Sequence, residues 1–173
     1  MIECFFDGAV QPYNPGGHGG YGILIRKDCQ TIYSEAVYIG RWRDLSNNVA
    51  EYAGVIAVFR YLLKQGITEA RVCGDANIVI EQLNGRWRAK SGAYLPYYHE
   101  AYALRVKLPS VKVEWIPREM NAGADELSKI AIGKRLIGFA LDPGIQPIAP
   151  PRIPSRRRTR NMVSDLKQLW GEQ

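Results

Sequence analysis

The chain has 173 residues, 46% of them hydrophobic and 23% charged, with 23 Lys and Arg against 17 Asp and Glu. That length suits one domain with an appendage and is enough to bury a core; fibrous, collagen-like and wholly disordered classes are excluded by the composition. No run of about 18 apolar residues exists to cross a membrane, and the opening Met1-Ile2-Glu3-Cys4-Phe5-Phe6-Asp7 lacks the basic start of a signal peptide. Cys4, Cys29 and Cys73 are odd in number and far apart, so neither a disulfide framework nor a zinc pair is expected, and a cytoplasmic, reducing location is the simplest. The formal charge of +6 is uneven. Residues 133–173 hold eight basic and three acidic side chains, a net +5; residues 1–132 are close to neutral.

In chain order, residues 2–7 read as a strand, followed by a Gly/Pro/Asn loop from Gly8 to Gly19. Gly20 to Lys27 and Thr31 to Ile39 read as strands joined by Asp28-Cys29-Gln30, a hairpin. Val49, Tyr52, Ala53, Ile56, Phe59 and Leu63 then recur at helical spacing, with Ser46-Asn47-Asn48 as cap candidates and Gly66 as the closing glycine. Ala70 to Gly74 is strand-like and Asp75 to Leu83 helical. A basic connection runs from Asn84 to Gly92, a helix from Ala93 to Leu108, a strand from Val111 to Ile116 and a helix from Asn121 to Ile132. This order predicts an α/β fold: a mixed sheet, antiparallel at first and parallel later, flanked by helices. The domain is expected to span residues 1–132. Residues 133–173 form a Pro-rich, Arg-rich extension with a short amphipathic helix over 162–170, suited to docking on the body or on a protein partner.

Four acids stand at element ends: Asp7, Glu51, Asp75 and Asp125. In such a sheet the ends of the parallel strands and the nearby helix starts converge on one crevice. Carboxylates gathered there repel unless cations lie between them. Each acid also has a local reading. Asp75 suits a helix cap, Glu51 can close a capping box with Asn48, and Asp125 favours a helix N-terminus. Asp7 follows Cys4-Phe5-Phe6 and needs a partner if buried.

The blocks Phe6-Asp7-Gly8, Asn14-Pro15-Gly16-Gly17, Gly19-Gly20-Tyr21-Gly22, Ser46-Asn47-Asn48-Val49-Ala50-Glu51, Val72-Cys73-Gly74-Asp75 and Asn121-Ala122-Gly123-Ala124-Asp125-Glu126-Leu127-Ser128 resemble the type 1 ribonuclease H family. The loop Pro117-Arg118-Glu119-Met120 has no histidine, which is similar to the archaeal-like branch. The resemblance covers residues 1–132. It implies a five-stranded mixed sheet, β1-β2-β3 antiparallel and β1-β4-β5 parallel. It implies an endonuclease that cuts the RNA strand of RNA–DNA hybrids, leaving 5′-phosphate and 3′-hydroxyl ends. It also implies two Mg²⁺, or Mn²⁺ in their place, with Asp7 bridging both, Glu51 and Asp75 completing one shell and Asp125 supporting the other. Hard oxygen ligands suit Mg²⁺, and paired metals serve in-line displacement.

For the substrate, Asn47 and Asn48 lie four and three residues before Glu51, so on a helix that begins that early they share its face and suit the RNA 2′-hydroxyl, unless they only cap the helix; the resemblance implies Asn14 in the same role and Ser46 at a DNA-strand phosphate. Arg86, Arg88 and Lys90, flanking Trp87, offer charge to the DNA strand, unless the segment is only a solvated turn with Trp87 packed on the core. Arg118 or Glu119 stands where the loop histidine would be. His18 and His99 suit surface or packing roles, and Tyr94, Tyr97, Tyr98 and Tyr102 a packing face. Arg156, Arg157, Arg158 and Arg160 form a tail that would raise affinity for any phosphate backbone. The alternatives are a nuclease of the same fold with another substrate, and a hybrid- or duplex-binding module that has lost catalysis.

Overall fold

The computed structural model describes residues 1–136, with side chains to residue 133. Five strands, β1 (Ile2–Gln11), β2 (His18–Lys27), β3 (Gln30–Arg41), β4 (Arg71–Gly74) and β5 (Lys112–Trp115), form one sheet in the order β3-β2-β1-β4-β5. β1–β2 and β2–β3 are antiparallel; β1–β4 and β4–β5 are parallel. The helices are α1 (Asn47–Lys64), α2 (Asn77–Leu83), α3 (Leu95–Val106) and α4 (Ala122–Leu136), with a 3₁₀ turn over Arg118–Asn121 before α4. Among the described residues no helix is long and apolar enough to cross a membrane.

The expected order of elements holds, and several boundaries move. The first two strands are longer than their apolar runs, leaving a loop of only residues 12–17. The β2–β3 turn has two residues, Asp28 and Cys29, both at positive φ (49° and 66°), the geometry that matches the twist of a tight hairpin. Helix α4 passes Gly133 and continues to Leu136.

Alternation along β2 decides which helix lies on which face. Tyr21 and Ile23 point toward α1, while Gly20 and Gly22 face α4. A Cβ on Gly22 would meet the Ala124 carbonyl at 2.4 Å, so α4 packs directly on backbone. Helix α1 lies on the other face and is also covered by α3. Its buried set includes Val49, Ala50, Tyr52, Val55, Ile56, Val58, Phe59 and Leu62, wider than the single stripe the spacing predicts. The core joins these to Phe6, Ile23, Ile25, Val72, Val79 and Ile80.

Candidate active site

The site begins where parallel pairing ends. The β1–β4 register runs to Phe5–Cys73, whereas β1 stays paired to β2 as far as Gln11. Asp7 lies two residues beyond the last β4 partner, 6% exposed, beside a gap that β4 does not fill. Ser128 of α4 sets its orientation, with Oγ 2.5 Å from Asp7 Oδ2 and 2.8 Å from the Asp125 carbonyl.

Glu51 enters the gap from α1, 8% exposed. Gly8 makes this possible: a Cβ there would lie 2.1 Å from the Glu51 nitrogen and 2.2 Å from the Ala50 carbonyl carbon. Helix α1 starts at Asn47, so Glu51 sits one turn in. Its N-cap is Ser46, whose Oγ accepts from Val49 N at 3.5 Å, so the capping box between Asn48 and Glu51 does not form. Asp75 follows the last residue of β4. It is not the cap of α2, since Ala76 holds that position.

One carboxylate oxygen from each of Asp7, Glu51 and Asp75 lies within 4.8 Å of the others. The electrostatics follow from this crowding. Burial raises the Asp7 carboxyl above the ordinary range, and the charges of Asp75 and Asp125 add to this against the Ser128 bond and Arg118. Glu51 is raised well above the ordinary range by burial, then by Asp7 and Asp75; the Gly8 backbone bond and Arg118 oppose this. Glu51 Oε2 is buried without a hydrogen-bond partner. A buried acceptor that no donor reaches, beside two more carboxylates, fits a hard divalent cation.

Asp125 stands apart from this triplet. Its carboxylate accepts from Arg118 Nη2 at 2.6 Å and from Lys129 Nζ one helical turn on. Burial alone would raise it, but the bonds from Lys129 and Arg118 together with their positive charges hold it below the ordinary value. Arg118 of the histidine-free loop is therefore an ion-pair partner of Asp125, and Glu119 is exposed.

The amides gather at the start of α1. Asn14 Oδ1 accepts from Asn47 N at 3.1 Å, and Asn47 Oδ1 accepts from Val10 N at 2.9 Å. The first bond ties the loop to α1 and the second ties β1 to it, while both residues remain exposed. Asn48 is half-buried beside them. In the basic connection, Arg86 forms a two-pronged pair with Glu81 at 2.5 and 2.7 Å. Arg88 and Lys90 are exposed. Trp87 is 50% exposed and so is not packed on the core. Tyr94 and Tyr98 do pack, against Tyr52, and Tyr97 is buried, but Tyr102 is 45% exposed. His18 bonds Tyr38 at 2.8 Å and His99 lies against Tyr98. Arg156, Arg157, Arg158, Arg160 and the 162–170 helix lie outside the described residues.

Three residues at the site have no role assigned by the sequence. Ser128 holds Asp7; the Trp115 indole N–H donates to the Asp75 carbonyl at 3.0 Å; Asn121 donates to Asp75 Oδ1 at 2.9 Å. Asn121 and Ser128 occur in the last block of the family resemblance, which is where a signal for them lay.

The model of the family described as "Reverse transcriptase-like" matches residues 5–131. The N-terminal RNase H domain of Rv2228c from Mycobacterium tuberculosis, solved as a fusion with maltose binding protein, superposes with a TM-score of 0.69 at 34% identity, covering 76% of this chain and 98% of that one. The chain belongs to the ribonuclease H-like family. A second ribonuclease H-like structure, LC11-RNase H1 in complex with RNA/DNA hybrid, has a TM-score of 0.71 at 30% identity, covering 79% of this chain and 99% of that one. The whole Rv2228c protein of Mycobacterium tuberculosis, named a bifunctional protein, is 38% identical over 130 residues, which is 75% of this chain. The chain spans about a third of the length of the curated relatives it first matches, at 35%. The mixed five-stranded sheet is the fold of these ribonuclease H neighbours, as the resemblance implied.

Proposed function

We propose that the protein is a ribonuclease H that hydrolyses the RNA strand of RNA–DNA hybrids with divalent cations, Mg²⁺ or in its place Mn²⁺. The observation that carries this reading is the convergence of Asp7, Glu51 and Asp75 within 4.8 Å, with Glu51 Oε2 unpartnered. These three would hold the cations, and Asp125 would join them by exchanging Arg118 and Lys129 for metal. Bound there, the cations would activate the attacking water and stabilise the leaving 3′-oxygen, giving 5′-phosphate and 3′-hydroxyl ends.

The chain's own residues account for the choice of substrate. Asn14 and Asn47 commit their side-chain oxygens to the fold. Both side chains are exposed, and their amide N–H groups would donate to a ribose 2′-hydroxyl, which deoxyribose lacks. Arg88 and Lys90 supply exposed charge for the DNA strand, whereas Arg86 is committed to Glu81. The free thiols Cys4, Cys29 and Cys73 fit a cytoplasmic enzyme.

The test is incubation with labelled hybrid, duplex RNA and duplex DNA, with and without Mg²⁺. The expected result is cleavage of the hybrid's RNA strand only when metal is present; an intact hybrid in both Mg²⁺ and Mn²⁺ would falsify the reading. We further propose that the catalytic domain ends near the close of α4 and that the arginines of 156–160 grip phosphate. Removing residues 137–173 should then weaken hybrid binding and flatten its salt dependence, by about 0.9 in log–log slope for each phosphate those arginines neutralise. Unchanged affinity would make the tail a protein-docking element.

A further inference from the structure

Asn121 closes the 3₁₀ turn between β5 and α4 and is 1% exposed. Its Nδ2 spends both protons at the acid cluster: one bonds the Phe6 carbonyl at 2.9 Å, the other Asp75 Oδ1 at 2.9 Å. The Phe6 carbonyl belongs to the peptide that leads into Asp7. One amide therefore clamps the two strands that deliver Asp7 and Asp75, just where pairing between those strands has stopped. The other end of the same side chain is not satisfied, because Asn121 Oδ1 is buried without a partner. A residue kept only to fill space would not carry that cost. The amide is explained by what its N–H groups do.

The clamp has a consequence for coordination. With Oδ1 engaged by Asn121, Asp75 has one oxygen outside that bond to offer a cation. Mg²⁺ requires near-ideal octahedral geometry at about 2.0–2.1 Å and seldom accepts a carboxylate through both oxygens. Ca²⁺ takes 6–8 oxygens at about 2.3–2.6 Å and accepts bidentate carboxylates readily. We propose that Asn121 is a positioning residue that holds Asp75 to one-oxygen coordination and so sets the preference of this site for Mg²⁺ over Ca²⁺. The inference rests on reading Asp7, Glu51 and Asp75 as the cation ligands.

Calorimetric titration of the full-length protein with MgCl₂ and, separately, CaCl₂ tests it, on the wild type, Asn121→Ala and Asn121→Ser. Mg²⁺ affinity should fall by roughly 10–100-fold in both variants, the usual cost of losing a group that orients a ligand. Ca²⁺ affinity should change by less than about threefold, because freed Asp75 oxygens suit it. Equal losses for the two ions, or no loss for either, would overturn the proposal. Asn121→Ser decides if Asn121→Ala loses its near-UV circular dichroism. If both lose it, the side-chain amide resonances of Asn121 in the wild type decide: they should move as Mg²⁺ is added, and resonances that stay fixed overturn the proposal. A wild type that binds neither ion sinks the reading of the cluster itself. A wild type that binds Mg²⁺, with variants that keep its Mg²⁺-to-Ca²⁺ ratio, sinks only the role of Asn121.

Discussion

The two ends of the parallel strands handle negative charge in opposite ways. At one end, Arg71 of β4 lies between Glu3 of β1 and Glu114 of β5, pairing with them at 2.7 and 2.9 Å. At the other end Asp7, Glu51 and Asp75 crowd within 4.8 Å, and among the described residues no ion pair reaches any of them. The first end is half-exposed and compensated; at the second, Asp7 and Glu51 are buried, Asp75 is half-buried, and none is compensated. The same sheet thus separates a charge arrangement that serves folding from one that costs folding energy until a proton or a cation relieves it.

The largest way to break this contrast is Asp7→Asn. Cleavage should fall by roughly 10³-fold, about 4 kcal/mol of transition-state stabilisation. The metal-free variant should melt above the metal-free wild type, because one buried charge has been removed from a repelling cluster. Hybrid-cleavage kinetics and thermal melts in EDTA check the two halves. Wild-type cleavage would remove Asp7 from the metal site, and a lower melting temperature would mean that the cluster stabilises the fold.

Gly8→Ala attacks the geometry instead. The added Cβ would meet α1 backbone at 2.1–2.2 Å, and backbone cannot swing aside as a side chain can. Overpacking of this kind costs about 1–3 kcal/mol. Helix α1 must lift from β1 and carry Glu51 away from Asp7. A chemical melt should show the loss of stability, and a Mg²⁺ titration should show weakened binding.

The pH dependence sharpens the comparison further. Asp7 and Glu51 both have carboxyls raised above the ordinary range of about 4. Between the unfolded and the raised folded values, the native state binds more protons than the unfolded chain. Stability of the metal-free protein therefore falls as pH rises from about 4 through the raised values, and is greatest below them. Added Mg²⁺ should remove much of this slope. Melts across pH 4–8 with and without Mg²⁺ check it, and a metal-free stability that rises through that range would reverse the assignment.

The contrast also marks what was legible in the sequence. Asp7, Glu51 and Asp75 could be read because each stands at or near an element end, and the run of short strands made the sheet order legible as well. Asn121 and Ser128 could not be read in the same way. Their bonds join residues 115 and 121 positions apart, and no local pattern encodes such a pairing. The pairing of Arg86 with Glu81 is hidden for a different reason: Glu81 lies on the preceding helix and Arg86 in the turn, so the basic run looks unpaired. Asp125 reads with the other acids because it too stands near an element end. The backbone does place it nearby, but Arg118 and Lys129 reach it from its own loop and helix.

The smallest expected effect belongs to the compensated end. Arg71→Met keeps the side chain's apolar stem across the strands and removes the guanidinium. The pairs it breaks are partly exposed, with side-chain accessibilities of 38% for Arg71, 27% for Glu3 and 38% for Glu114. Such pairs contribute about 0–1 kcal/mol, so a urea melt should shift by no more than that, and less at high salt. Hybrid cleavage should be unchanged, because Arg71 pairs at the end of the strands away from Asp7 and Asp75. A loss of cleavage would show that the two ends are coupled through β4, and the contrast between them would then be one of degree.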